Sequence, residues 1–112
     1  MVKAMSQTTQ RNASNGLDHL DPLLQHRGRL GTLVLLSDAD AMAFTRLRDL
    51  LKETDGNLGA QLRKLEEAGY LAVRKEFVER KPVSWYSLLP AGRAALRSHL
   101  KALEQLIDAA KV

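Results

Sequence analysis

Two amides, Asn57 and Gln61, stand one helical turn apart in the stretch TDGNLGAQLRKLEEAGY (54–70), and two cations, Arg63 and Lys64, follow them. A side-chain amide donates and accepts at once, which suits a base edge, whereas a neighbouring Lys or Arg suits a phosphate. Gly56, Gly59 and Ala60 add little bulk beside the amides, so this end of the stretch can enter a groove. A second cation pair, Arg80 and Lys81, occupies the loop VERKP (78–82), where nothing asks to be buried. The candidate nucleic-acid contacts are therefore Thr54, Asn57, Ala60, Gln61, Arg63, Lys64, Arg80 and Lys81, with Asn57 and Gln61 expected to select bases and the four cations to neutralise phosphates. Taken alone, a solvated helix face and a charged hairpin loop would look the same.

Other chemistries find less support. Asp38 and Asp40 form a carboxylate pair with no histidine or third ligand near them in the sequence, which is the pattern of a solvated turn. His19, His26 and His99 lie far apart, and the side chains three and four residues after His99 are Ala102 and Leu103, so a solvated or partly packed histidine is expected there rather than a metal ligand. No Gly-rich phosphate loop or nucleophile motif is present. No catalytic residue, metal site or cofactor is expected, and the chain does not read as an enzyme.

The elements that must place these residues follow from periodicity. Thr54 can cap a helix through its hydroxyl, Asp55 sets negative charge in the first turn, and Gly69 offers a left-handed stop, which bounds a helix over 55–68 with Leu58, Leu62 and Leu65 as its apolar stripe. Before it, Thr45 can cap a short helix from Arg46 to about Lys52, with Leu47, Leu50 and Leu51 facing inward. Two short helices joined this tightly are a helix-turn-helix candidate. Beyond Gly69 the pattern alternates over 70–77 and again over 83–88, which makes a hairpin with a basic tip, or wing.

Upstream, Asp21-Pro22 starts a helical stretch through Leu36 whose Gly28 and Gly31 either break it near His26 to Gly28 or admit a close neighbour. Met42 and Phe44 alternate with Ala41 and Ala43 as one very short strand would. Pro90 opens a last helix to about Ala110, in which Leu96, Leu100, Leu103 and Ile107 repeat at heptad spacing and form a candidate dimer interface; packing back on the chain's first helix is the alternative. Residues 1–19 are rich in Ser, Thr, Gln and Asn without periodicity and read as a flexible tail, so the expected organisation is tail 1–19, DNA-binding domain 20–89 and dimerisation helix 90–112.

Composition sets the outer limits. At 112 residues with five aromatics, a single domain with a leucine-filled, mainly helical core is expected. The absence of cysteine removes disulfides and thiolate metal sites and fits a reducing cytoplasm. No apolar run is long enough to span a bilayer, and the first residues lack the apolar stretch of a secretory signal, so no membrane partner is expected. Net charge is +4 with no basic block, so any surface for a polyanion must be assembled by folding.

The segments LDPLLQHRGRL, FTRLRDLL, TDGNLGAQLRKLEEAGYLAVRKEF, KPVSWYSLLPAGRAAL and LKALEQLI, which span 20–107, resemble the small winged-helix transcriptional regulators related to the MarR, ArsR and PadR groups. TDGNL, KLEEAGY and YSLLPAGR together are its most specific signature. The resemblance implies a mainly α protein with a small β-hairpin, a winged helix-turn-helix whose N- and C-terminal helices form a dimer interface. It further implies a homodimeric, repressor-like regulator bound to double-stranded DNA, with the helix 55–68 in the major groove and residues 78–82 as the wing tip. Lys52 and Glu53 depart from the usual glycine and apolar residue between the two helices, so this turn must close without glycine. Leu89 stands where a capping Ser or Thr is usual before Pro90. The alternative is a winged helix that serves protein contacts without DNA, and a small-molecule effector near Trp85 or between subunits is a further expectation beside plain core packing of that tryptophan.

Overall fold

The three leucines of the 55–67 helix are the centre of the molecule in the computed structural model, which describes residues 4–111. Leu58, Leu62 and Leu65 are at most 1% exposed and meet Leu24, Leu33, Leu36, Leu47, Leu51, Leu71 and Leu96, with Tyr86 as the one aromatic of this cluster. Leucine is flexible enough to fill gaps between helices and too weakly β-forming to build a large sheet, so a helical body with a minor sheet results.

The elements run α1 (Gln7–His19), a one-turn 3-10 helix (Pro22–Gln25), α2 (Arg27–Ser37), β1 (Met42–Ala43), α3 (Phe44–Leu51), α4 (Asp55–Glu67), β2 (Leu71–Val78), β3 (Lys81–Leu88) and α5 (Pro90–Ala109). The three strands are antiparallel in the order β1-β3-β2, with Met42 opposite Tyr86 and Leu71 opposite Leu88. This is the winged helix-turn-helix that the sequence implied. The stretch after Pro22 does break at His26, whose Nδ1 accepts from Gly28 N at 3.0 Å and so starts α2 afresh. Gly31 admits a neighbour, because a Cβ there would lie 2.6 Å from Leu51 Cδ2.

Two expectations are corrected here. Residues 7–19 are not a flexible tail: they form α1, which lies along α5. Residues 1–3 of the expected tail lie outside the described residues. The helix starts at Ser6, whose Oγ accepts from Thr9 N at 3.0 Å, and it fits α5 through Gly16, where a Cβ would stand 2.7 Å from Leu106 Cγ and 2.9 Å from the Ala102 carbonyl. The second correction concerns α3, which begins at Phe44 with Ala43 at its cap position and no side-chain cap; Thr45 is exposed in the first turn instead.

One carboxylate ties the outlying elements to the core. Asp21 Oδ1 accepts from Leu23 N at 2.9 Å and Oδ2 accepts from the Tyr70 hydroxyl at 2.7 Å, while the Asp21 backbone N donates to His99 Nδ1 at 2.9 Å. Of the two expectations for His99, solvated or partly packed, the packed one holds: it is 2% exposed and serves as an acceptor on α5. The bond to Asp21, with lesser help from burial, pushes the Tyr70 hydroxyl up to about 12. A phenol held protonated in the fold stabilises it fully below the ordinary phenol range and ceases to do so as pH rises through the folded value. Urea unfolding of the parent should therefore lose stability as pH rises above about 10, and Tyr70→Phe should reduce that loss, the remainder coming from Tyr86, whose hydroxyl is also pushed up by burial, while costing about 1 to 3 kcal/mol at neutral pH.

Candidate nucleic-acid interface

Helix α4 owes its outward face to the same spacing that buries its leucines. With each residue turning the helix by about 100°, Gly56, Ala60, Arg63, Lys64 and Glu67 fall opposite the stripe of Leu58, Leu62 and Leu65, and all five are exposed. Thr54 holds the start of the helix: its Oγ1 accepts from Asn57 N at 3.2 Å. Asn57 is exposed on the flank of the first turn. At the other end Tyr70 N bonds to the Leu65 carbonyl at 2.9 Å and Gly69, at φ 79, turns the chain into β2.

Gln61 does not join the outward face. It lies about 70° from the centre of the leucine stripe, half-buried against α2, and its Oε1 accepts from Arg29 Nη1. The same guanidinium donates through Nε to the Leu23 carbonyl, so it locks α4 to the segment before α2. The Gln61 amide oxygen is thus engaged within the protein, and of the two amides expected to select bases Asn57 is the exposed one. Arg29 went unnoticed in the sequence because only the packing of α2 on α4 brings the two side chains together.

The turn between α3 and α4 closes without glycine by placing Lys52 in the left-handed region, φ 56 and ψ 47. Around it Arg27 Nη1 donates to the Leu51 carbonyl at 2.9 Å and pairs with Glu53 at 3.0 Å, while Arg48 bridges to Asp55 at 2.9 Å and Asp49 at 3.1 Å. Its hydrogen bonds to Asp55 and then Asp49 push the half-buried Arg48 guanidinium up from its ordinary value. Asp55 is thus matched by a cation at the one place where a carboxylate stands at the tip of α4.

The wing closes in a two-residue turn, Val78 pairing with Lys81. Its turn residues Glu79 and Arg80 both have positive φ, 51° and 68°, the mirror-image turn that suits the twist of a hairpin but favours Asn and Gly. Arg80 and Lys81 are exposed, and neither they nor Arg63 and Lys64 enter an ion pair among the described residues. Lower on the wing Trp85 is half-buried with Nε1 donating to Glu76 Oε1 at 2.7 Å, and Glu76 also pairs with Arg74. Between the wing and the start of α3 lies a cleft of about 270 Å³ lined by Phe44, Thr45, Pro82, Val83 and Ser84. The structure thus gathers Thr54, Asn57, Ala60, Arg63 and Lys64 on one helix and sets Arg80 and Lys81 at the tip of the adjacent hairpin.

The candidate dimer residues divide. Leu96 is 5% exposed in the chain's own core and is not available to a second copy, because α5 begins in contact with β2: a Cβ on Gly92 would lie 2.3 Å from the Tyr70 carbonyl oxygen. Leu103 is half-buried, and Leu100 and Ile107 are 41% and 69% exposed. Among the described residues no group of His, Asp and Glu is placed to hold a metal, and no helix is long and apolar enough to cross a membrane.

A short helix, a tight turn, an outward-facing second helix and a basic hairpin define a winged-helix protein of the nucleic-acid-binding class. The winged helix DNA-binding domain family matches residues 29–107, and the chain belongs to it. An uncharacterized protein of Methanocaldococcus jannaschii is 31% identical over 78 residues, covering 70% of this chain and 85% of that one. Among solved structures, a transcriptional regulator homologue from Pyrococcus horikoshii OT3 superposes with a TM-score of 0.79 at 22% identity, over 91% of this chain and 99% of that one. A MarR mutant from E. coli complexed with operator DNA gives 0.66 at 17% identity, over 93% and 75%. The transcriptional repressor CouR, bound to a 23-mer DNA duplex, gives 0.69 at 21%, over 91% and 72%. The fold is the one these regulators have, and the family is one of DNA-binding domains.

Strain at the wing tip has a measurable consequence. A non-glycine residue held left-handed is destabilised by about 1 kcal/mol or more, partly offset in glycine by its larger unfolded-state entropy. Arg80→Gly should raise stability by about 0.5 to 1 kcal/mol, read as a higher urea midpoint with unchanged slope.

Proposed function

We propose that this protein is a sequence-specific transcriptional regulator that binds double-stranded DNA as a homodimer, reads an inverted repeat and represses by occupying it. The observation that carries this reading is the outward face of α4, which combines small residues at its start with unpaired cations farther along. Gly56 and Ala60 let the helix approach the floor of a major groove. Asn57, on the flank of that turn, selects bases with its amide, and Thr54 and Ala60 frame the contact. Arg63 and Lys64 bind phosphates along one edge of the groove while Arg80 and Lys81 bind the backbone one wing-length away. Arg29 and Gln61 act from behind, fixing α4 to the body so that its outward face keeps one angle.

The dimer supports the same reading. Leu100, Leu103 and Ile107 leave an apolar strip on α5, and Leu17 on α1 is 62% exposed. A second copy covers such a strip by two-fold packing, which sets two recognition helices about one DNA turn apart and fits half-sites about 10 base pairs from centre to centre. The operator-bound and duplex-bound proteins that share the fold add support for double-stranded DNA as partner. The chain carries no cysteine, and its working place is the cytoplasm, beside the DNA.

The deciding experiment enriches duplexes from random DNA with the full chain and then titrates salt on an enriched and a scrambled duplex. Each phosphate neutralised should contribute about 0.9 to the slope of log affinity against log salt, so Arg63→Ala and Arg80→Ala should each flatten it. Asn57→Ala should relax preference at one base pair per half-site by about 1 to 3 kcal/mol and leave scrambled DNA nearly unaffected. Flat salt dependence and no enrichment would instead assign the domain to protein contacts. For the dimer, sedimentation of Leu103→Glu and Ile107→Glu should show a shift to monomer at micromolar concentration, and an unchanged mass would overturn the α5 strip as the interface.

A further inference from the structure

The wing carries an aromatic residue with no task in the fold. Phe77 is 77% exposed, more than any other large apolar side chain among the described residues, although it stands in a regular strand. It follows Leu71, Val73 and Lys75 on one face of β2, so the face that packs on the core at its start runs out past the body and ends in an apolar patch. Directly across the ladder is Pro82, exposed as well, and Val78 beside it is 44% exposed. Lys75 shares the Phe77 face, Arg80 is in the turn beyond it and Lys81 is on the opposite face beside Val78, and the three are in no ion pair among the described residues. An exposed aromatic with cations before and beyond it along the wing, behind a tip held in a left-handed turn, fits a partner that is anionic outside and apolar just within.

We propose that Phe77 and Pro82 form an apolar collar that packs on deoxyribose edges at the mouth of the DNA minor groove, holding the wing in a way that salt does not weaken. The inference rests on the reading of α4 and the wing as a DNA-binding surface. Length supports it. Phe77 stands two residues behind the turn, and at about 3.3 Å per residue the tip extends roughly 7 Å beyond it. The minor groove is about 7.5 Å deep. With the backbone of the tip inside the groove and the Arg80 guanidinium turned to a phosphate of its wall, the Phe77 ring is level with the groove's lip, where the sugars of the two strands face each other. Sugar edges are the same for every base pair, so the contact adds affinity without selecting sequence, and it releases no counterion.

The test is the salt titration of the full chain on the enriched and the scrambled duplex, with Phe77→Ala, Phe77→Leu and Arg80→Ala compared with the parent. Phe77→Ala should bind both duplexes about five- to tenfold more weakly at every salt concentration with an unchanged slope, while Phe77→Leu keeps most of the affinity. Arg80→Ala should change the slope. Melting curves of both Phe77 variants should match the parent, as the side chain is outside the core. Phe77→Ala binding as tightly as the parent, or changing the slope, would overturn the collar while leaving the DNA-binding reading in place. A free Phe77→Ala protein that sediments at a lower mass than the parent would give the patch to a second copy of the chain and overturn it too. A parent that binds no duplex at all would remove the reading beneath it.

Discussion

A single carboxylate, that of Asp21, fixes how the long helices meet the winged body. It accepts from the amide of Leu23 and the hydroxyl of Tyr70, and the backbone N–H of the same residue donates to His99 Nδ1 on α5. Three elements that are remote in sequence, the 3-10 turn, the exit from α4 into the wing and the middle of the last helix, thereby share one polar node. Most groups in it would be costly to bury alone, and each is satisfied by another. The node also explains why α5 runs where it does: Gly92 admits the Tyr70 carbonyl at one end and His99 reaches Asp21 two turns later. Between these two contacts α5 belongs to the body, and beyond them it is free to pair with α1.

That division separates the two roles of the last helix. Its early turns supply Leu96 to the core, and its later turns present Leu100 and Ile107 to the outside. The Asp21 node sits at the junction of the two halves. Beside that junction, α1 and α5 enclose a cleft of about 360 Å³ lined by Asn15, His19, Ser98, Lys101, Ala102 and Gln105.

The parts of the fold legible in the sequence are those whose causes are local. Helix α4 announces itself through Thr54, the 58-62-65 leucines and Gly69, and each is found in the corresponding place. The break at His26, the short β1 and the hairpin are local in the same sense. Helix α1 was not legible because its stability is tertiary: Gly16 is its one buried residue, its leucine is turned outward, and the docking partner lies about ninety residues away in the chain. The one local signal was Ser6 standing three residues before Thr9, a cap too weak by itself to override the polar composition. Gln61 and Leu96 misled for the related reason that periodicity gives the angle of a residue on its own helix and not which neighbour lies at that angle. Arg29 and the β2–α5 junction decide those two, and both depend on how elements pack. For His99 the sequence leaves solvated and partly packed side by side, and the contact with Asp21, 78 residues away, decides for the packed one.

The wing tip has a kinetic side. A hairpin closed by two residues in a defined left-handed turn has few conformations to lose when it meets a partner, whereas a long glycine-rich wing would have to be ordered at the moment of contact. The ordering penalty is carried instead by the free protein, as backbone strain at Glu79 and Arg80, and it is present before any encounter. Association then needs only the right approach, so a rigid tip favours rapid capture of a groove, and the lifetime of the complex is set by how tightly the surfaces fit once they have met.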